Sequence, residues 1–508
     1  MTSQGEGGSA SASGPGGSVG VTPEASSLAE QLRGTSRLKA NAIGLKDAVV
    51  VGLASSGPTA SIALTLVTIV SAMKYGGPVA ILICAVPMFG IALAYRRLNH
   101  WRVDCGATYT WAGKAITPYF GFMVGWVMLL GYFLGTISDV LPIGPYVMSV
   151  IDPSLANSSW AAAISATAWV LVVTVIAYIG IQLTTRFQWL LATIEYTVIT
   201  AFAVVALVAV FGHNANSARL SWSWFSWHGF GGGHGLIAGI LVAVYMFSGW
   251  DSAVYVNEET KQSRRNPGRA VVVSVVMLTF MYTFLTFAYE GAVKKDKLVA
   301  NGSNSLFYIV KVLAGSGWAK LMVVAVLLSI VGATQTALIS GARIAFSMGG
   351  DGTLPRFLGR SHPKLETPTR ATLLFAGLSL IALWVYIFDA SSVQGAFANV
   401  TSTVGLMFGL FYAATGISMA VYYRRLAVKS FRGVIELLLV PLVSAGFLLW
   451  VTVKAVPGLG GWGGEIMKIA YVLLAIGVVL MIVGRVRHHT DYYDRPLEAY
   501  DPTTVETS

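Results

Sequence analysis

"YMFSGWDSAVYVNEETKQSRRNPGRA", residues 245–270, runs from the end of an apolar stretch into a basic cluster. The residues before it, from Gly235, are oily enough to cross a membrane, yet Ser248, Gly249 and Asp251 fall where lipid would be. A charged side chain at the bilayer centre costs about 2.5–3.5 kcal/mol even on the most lenient scale. Asp251 must therefore face water, a protein partner or a solute, and Gly249 beside it weakens the helix. The stretch reads as a membrane span interrupted near its middle.

The rest of the composition agrees. The chain has 508 residues, 55% of them hydrophobic and 11% charged, with a mean hydropathy of +0.67. Soluble domains carry roughly a quarter charged residues, so this is an all-α polytopic membrane protein. The net charge of +11 comes from bases lying between apolar runs, a topology signal rather than a nucleic-acid-binding face. Cys84 and Cys105 form neither a disulfide framework nor a metal motif, and no cofactor motif is present. Neither a His-Glu-x-x-His cluster nor a serine–base pair marks the chain as an enzyme.

Apolar runs long enough to span lie near 47–73, 76–95, 117–140, 159–180, 187–211, 235–257, 268–292, 319–347, 370–388, 397–423, 433–453 and 466–484. Twelve spans place both chain ends on one side. Basic clusters at Arg96–Lys114, Lys261–Arg269, Arg356–Arg370 and Arg424–Arg432 fall on that side too, which makes it cytoplasmic. The expected organisation is a disordered cytoplasmic tail over 1–44, a five-span unit over 45–211 and an extracellular loop over 212–234. A second five-span unit covers 235–425, two further spans 426–487, and a cytoplasmic tail 488–508. Trp222, Trp224 and Trp227 in the extracellular loop read as interfacial anchors.

Span 1 carries a second interruption, "SSGPTAS" from Ser55 to Ser61. Proline removes an amide donor and clashes with the preceding turn, and glycine adds freedom. Lipid tolerates such backbone only where it lines a cavity or packs on protein. Spans 1 and 6 each open a five-span unit, and interrupted spans in equivalent places point to a transporter's binding site. The same pattern predicts inverted repeats. Glu195 is a further intramembrane acid, nine residues into span 5 and so roughly 13–14 Å from its start. It is the candidate proton carrier. Asp139 and Glu290 lie near span ends, where they are expected to reach water.

From Leu45 to Arg425 the chain resembles the amino acid–polyamine–organocation transporter superfamily. "FSGWDSAVYVNEETKQSRRNPGRAV" from Phe247 is similar to its sixth-span signature, and "CGATYTWAGKAITPYFGFMVGWVMLLGYF" from Cys105 to its loop and third span. "SGARIAFSMGGDGTLPRFLGRSHPKLETPTRATLL" from Ser340 is similar to the signature after the eighth. The resemblance implies the bacterial leucine-transporter fold: two inverted five-helix repeats with discontinuous helices 1 and 6 around a small substrate. It implies that Ser55, Ser56, Gly57 and Thr59 hold a substrate carboxylate, and that Phe247, Ser248 and Gly249 hold its amino group. Trp250 lies next to them in the same signature. Tyr245 matches a residue that caps the substrate, and Asp251 an acidic position tied to pH response. Two departures stand out. Many relatives have a span 5 lysine where this chain has Glu195, and Gly350 replaces a base before Asp351, which implies loss of a cytoplasmic ion pair.

Together these readings describe a plasma-membrane permease moving an amino acid by alternating access, coupled to protons. The alternatives are a polyamine, GABA or choline carrier of the same fold, and a non-transporting sensor or scaffold. The expected partners are a small amine-bearing solute, a proton and membrane lipid, with no nucleic acid. The sequence leaves the oligomeric state open.

Overall fold

Backbone inside a bilayer has to satisfy its own hydrogen bonds, and this chain does so with helices. The computed structural model describes residues 38–155, 158–218, 222–225, 232–300, 304–389, 393–487, 490–498 and 500. Residues 1–37, the bulk of the expected amino-terminal tail, lie outside it, as do Trp227 and the end of the carboxy-terminal tail. Among the described residues no strand forms, only an isolated bridge between Ile43 and Thr260.

The first half of the chain builds α1 (Leu45–Ser56), α2 (Pro58–Met73), α3 (Gly77–Trp101), α4 (Thr108–Ala115), α5 (Pro118–Val140), α6 (Ile143–Ile151), α7 (Ser159–Ile179) and α8 (Ile181–Phe211). The second half builds α9 (Gly232–Met246), α10 (Ser252–Tyr255), α11 (Asn266–Ala292), α12 (Lys295–Ala300), α13 (Ser305–Ala314), α14 (Ser316–Gly350), α15 (Thr369–Asp389) and α16 (Val393–Ala427). It closes with α17 (Phe431–Val434), α18 (Val440–Ala455) and α19 (Glu465–Arg487). Local chemistry sets the starts. Pro118 opens α5 behind Thr117, whose hydroxyl accepts from Phe120 N at 3.1 Å, and Ser158 caps α7 through Ala161 N.

Among the described residues, eleven helical stretches are long and apolar enough to cross a membrane. The sixth expected span is not one of them, because its helix stops at Met246 and leaves only Gly235–Met246 as a short apolar piece. Over an 18-residue apolar window, α1–α2 and α14 are each 83% buried, while α19 is 17% buried. Span 1 and span 8 are thus the axis of the bundle, and α19 is its rim. The outer helices turn apolar side chains such as Trp160, Val175, Ile381 and Val479 outward, as a lipid-facing surface requires.

The described segments nearest each chain end pack on one face, called here the tail face. Leu38–Gly44, which composition placed in the tail, is packed. Ala42 N donates to Glu259 O at 2.8 Å, and Lys261 N to Ile43 O at 2.8 Å. The polar carboxy-terminal segment is likewise a strap. Tyr492 is buried and stacks on Tyr109 with ring centres 5.2 Å apart. Arg495 pairs with Asp351 at 2.7 Å, so the partner that Gly350 does not supply comes from the far end of the chain. Glu498 pairs with Lys114 and with Arg102. At the opposite face two expectations change. Trp224 is no interfacial anchor but a buried ring stacked 4.5 Å from Tyr75. Glu290 is fully buried beside Gly77 at the start of α3 and does not reach water.

Truncating the buried Tyr492 ring removes the strap's apolar anchor, and local opening should follow without loss of the bundle. Tyr492→Ala is expected to raise the rate of limited proteolysis within Thr490–Tyr500 about tenfold or more (converted at 1.4 kcal/mol per decade), against an unchanged pattern elsewhere.

Candidate substrate site between two broken helices

Span 1 breaks between α1 and α2 at Gly57, which adopts φ +47° and ψ 65°, the left-handed region that glycine enters freely. Pro58 then starts α2 with no amide to satisfy. The expectation was that amides freed here would await a carboxylate. In this structure each of these amides has a partner within the protein. Gly57 N donates to Ala54 O at 3.1 Å and Ser61 N to Gly57 O at 2.8 Å. Thr59 N donates to Glu195 Oε1 at 3.2 Å, and Ala60 N to Ser329 Oγ at 3.1 Å.

Span 6 breaks between Met246 and Ser252, with Gly249 at φ +94°. Ser248 N donates to Tyr245 O at 2.9 Å, and Gly249 N to the Tyr412 hydroxyl at 3.1 Å. The two breaks abut. Ser56 Oγ donates to Ser248 O at 2.9 Å, and Ser252 Oγ to Ser55 Oγ at 2.8 Å. The Tyr282 hydroxyl lies between the last carbonyls of both helices, 3.1 Å from Ser56 O and 2.8 Å from Met246 O. Contact at Gly249 is close enough that a Cβ there would sit 2.9 Å from Ser55 O.

Asp251 is fully buried beneath this junction. Its Oδ1 accepts from Tyr132 at 2.9 Å and Tyr412 at 2.7 Å; its Oδ2 accepts from Tyr255 and, at 3.4 Å, from Tyr95. Four hydroxyl donors saturate the carboxylate. Since Tyr412 also accepts from Gly249 N, Asp251 holds the break in shape at one remove. The tyrosines come from α3, α5, α10 and α16.

A cavity of about 40 Å³ opens at the junction, room for a few waters rather than a solute. Of the residues expected there, Ser55, Ser56, Gly57, Tyr245, Ser248 and Gly249 line it. Thr59, Phe247, Trp250 and Asp251 do not; all four are fully buried behind it. The structure adds Ser61, Tyr132, Gly135, Ser138, Asp139 and Phe408. Asp139, which the sequence placed near a span end and open to water, faces this cavity. Glu195 is buried on α8, joined to the first turn of α2. A carboxyl at that position lies on the positive end of a half-helix.

On the tail-face side of the site lies a buried ion pair. Arg343 holds Glu259 Oε2 at 2.6 Å with both groups almost fully buried. Beside this pair Asp104, Cys105 and Glu258 bring three possible ligand atoms within 4.8 Å of one another. Their hydrogen bonds are internal. Cys105 N donates to Glu258 Oε1 at 2.8 Å, and Ser347 Oγ to Asp104 Oδ1 at 2.9 Å. Burial first, and the charge of Asp104 next, push the Glu258 carboxyl up to about 7.

A multi-pass helical protein with a small polar cavity between two broken helices has the build of a membrane permease. The amino acid permease family model matches residues 47–485, and the chain belongs to that family. It is 25% identical over 295 residues to the mouse (Mus musculus) Asc-type amino acid transporter 1, covering 58% of this chain and 55% of that one. It is 24% identical to the low-affinity putrescine importer PlaP of Escherichia coli K12, covering 74% and 81%. The branched-chain amino acid permease BcaP of Bacillus subtilis is 23% identical, covering 67% and 73%. The chain thus spans little over half the length of the mouse relative.

Two outcomes follow from this geometry. Gly249→Ala combines a disfavoured φ with a backbone clash, so it should destabilise the purified protein by roughly 1–3 kcal/mol or more. Gly57→Ala, whose nearest neighbour would be a side chain 3.3 Å away, should cost nearer about 1 kcal/mol; thermal unfolding midpoints rank the two. Glu258, with its folded pKa raised above the ordinary 4.5, contributes stability that is full below that value and is lost as pH rises through about 7. The midpoint should fall over that window, with Asp104 and Glu259 the neighbouring acids acting on Glu258, and Glu258→Gln should flatten the fall.

Proposed function

We propose that the chain is a secondary permease that carries a small amine-bearing solute, of the amino acid and amine class, across the plasma membrane by alternating access. The observation that carries this reading is the meeting of the two breaks at a small polar cavity, with a buried ion pair on its tail-face side. Access from the tail face, taken as cytoplasmic from the basic loops, requires Arg343 and Glu259 to part. Parting them exposes both groups to water, and solute or ion binding would bias that opening. Inverted five-helix repeats would supply the geometry for that exchange. The kinship with amino acid and putrescine carriers supports the solute class.

Glu195 is the coupling residue in this proposal. As a carboxylate it holds the Thr59 amide at the positive end of α2; on gaining a proton it loses most of that attraction. Protonation therefore acts on the same half-helix that borders the cavity. Labelled amine or amino acid uptake into proteoliposomes is expected to rise with an inward proton gradient. Glu195→Gln should remove that dependence. Wild-type uptake indifferent to the gradient refutes the coupling and leaves the permease standing.

A further inference from the structure

At the tail-face end of span 10 the bases outnumber the acid that reaches them. Arg424 and Arg425, in the last turn of α16, line a gap of about 70 Å³ together with Tyr422, Glu498 and Tyr500. Glu498 is the single acid in that lining. Its carboxylate already serves Lys114 and, at 3.2 Å, Arg102, so four bases share one negative charge. Arg424 Nη1 donates to Val421 O of its own helix at 2.9 Å. Among the described residues no acid pairs with Arg424 or Arg425.

Lys114 makes the demand for an anion strict. Its side chain is 15% exposed, and a base withdrawn that far from water needs a negative partner. Here the partner is Glu498, which is loosely supplied. Its side chain is 34% exposed, its pair with Arg102 is open to solvent, and such pairs add little stability. The firmer hold on the strap is the buried Tyr492 ring, earlier in the chain. Another anion can therefore take the place of Glu498 while Tyr492 stays seated.

The surrounding surface says which anion. Val428 is 71% exposed, Phe431 82% and Leu497 53%, and Lys429, between the first two in sequence, is exposed as well. Apolar side chains turned outward among bases belong in the headgroup layer of a bilayer, where basic pockets at span ends collect acidic headgroups. The gap has room for water alone while Glu498 is seated. A headgroup and the Glu498 carboxylate therefore exclude each other.

We propose that this pocket binds the phosphate group of an anionic phospholipid through Arg102, Lys114, Arg424 and Arg425, in place of Glu498, so that membrane composition sets whether the end of the strap is seated. The inference does not depend on which solute the permease carries.

The test uses the full-length protein in three kinds of nanodisc: phosphatidylcholine alone, phosphatidylcholine mixed with phosphatidylglycerol, and phosphatidylcholine with inorganic phosphate added. The readout is hydrogen exchange of the Glu498 amide, which donates to Lys114 O at 2.9 Å. Phosphatidylglycerol should speed that exchange about tenfold, the shift set by a competitor at roughly ten times its Kd. The double variant Arg424→Gln, Arg425→Gln should abolish the acceleration. Arg264→Gln with Arg360→Gln, an equal loss of charge at exposed bases outside the pocket, should keep it. Competition also requires that Glu498→Gln retain more phosphatidylglycerol than the wild type in native mass spectrometry. Equal exchange in neutral and anionic discs, a loss shared by both double variants, or unchanged lipid retention in Glu498→Gln overturns the proposal. Acceleration by inorganic phosphate in neutral discs overturns the lipid as the source of the anion. The comparison of lipids in the wild type stands even where a variant fails to fold.

Discussion

Peptide groups in the middle of a membrane can send their hydrogen bonds only into protein. Breaking two helices there creates a local shortage of partners, and the chain meets it by setting the breaks against each other. Ser56 serves Ser248, Ser252 serves Ser55, and Tyr282 reaches both helix ends at once. The cavity exists because these bonds hold open a place where two continuous helices would close it. Everything functional in the bundle depends on that mutual satisfaction.

Two buried acids complete the arrangement, one per break. Glu195 takes the Thr59 amide directly, and Asp251 takes the Gly249 amide through Tyr412. Neither borders the cavity, so each shapes the break beside it without lining it. The difference between them is in their company. Asp251 has four hydroxyls and no spare acceptor site, which suits a fixed structural anion. Glu195 is held more loosely, and a change in its charge alters a single half-helix.

Much of this was legible in the sequence, for stated reasons. Gly57-Pro58 and Gly249 announce breaks because both residue types have backbone limits that no environment removes. The spans are legible because lipid demands apolar runs of fixed length. What escaped were relations between distant residues. The tyrosines around Asp251 come from positions 95, 132, 255 and 412, and nothing local marks them as a set. The amides near Gly57 were expected to be free because the serine and the glutamate that occupy them lie on α14 and α8. Composition misjudged the carboxy-terminal segment, since a polar stretch with two tyrosines reads as solvated until Tyr109 and Asp351 are seen beneath it. Trp224 misled for a related reason: an aromatic beside a span end suits the lipid boundary and a buried stack equally well.

The two chain-end segments fasten different parts of the same face. Leu38–Ile43 is stitched to Glu259 and Lys261, which follow the broken sixth span. Thr490–Glu498 is stitched to Lys114 and Asp351, which flank the unbroken third and eighth. One seam thus fastens the segment after the broken sixth span, while the other fastens the ends of two unbroken helices. Lifting only the second seam would free the ends of the third and eighth spans and leave the contacts between the two breaks in place.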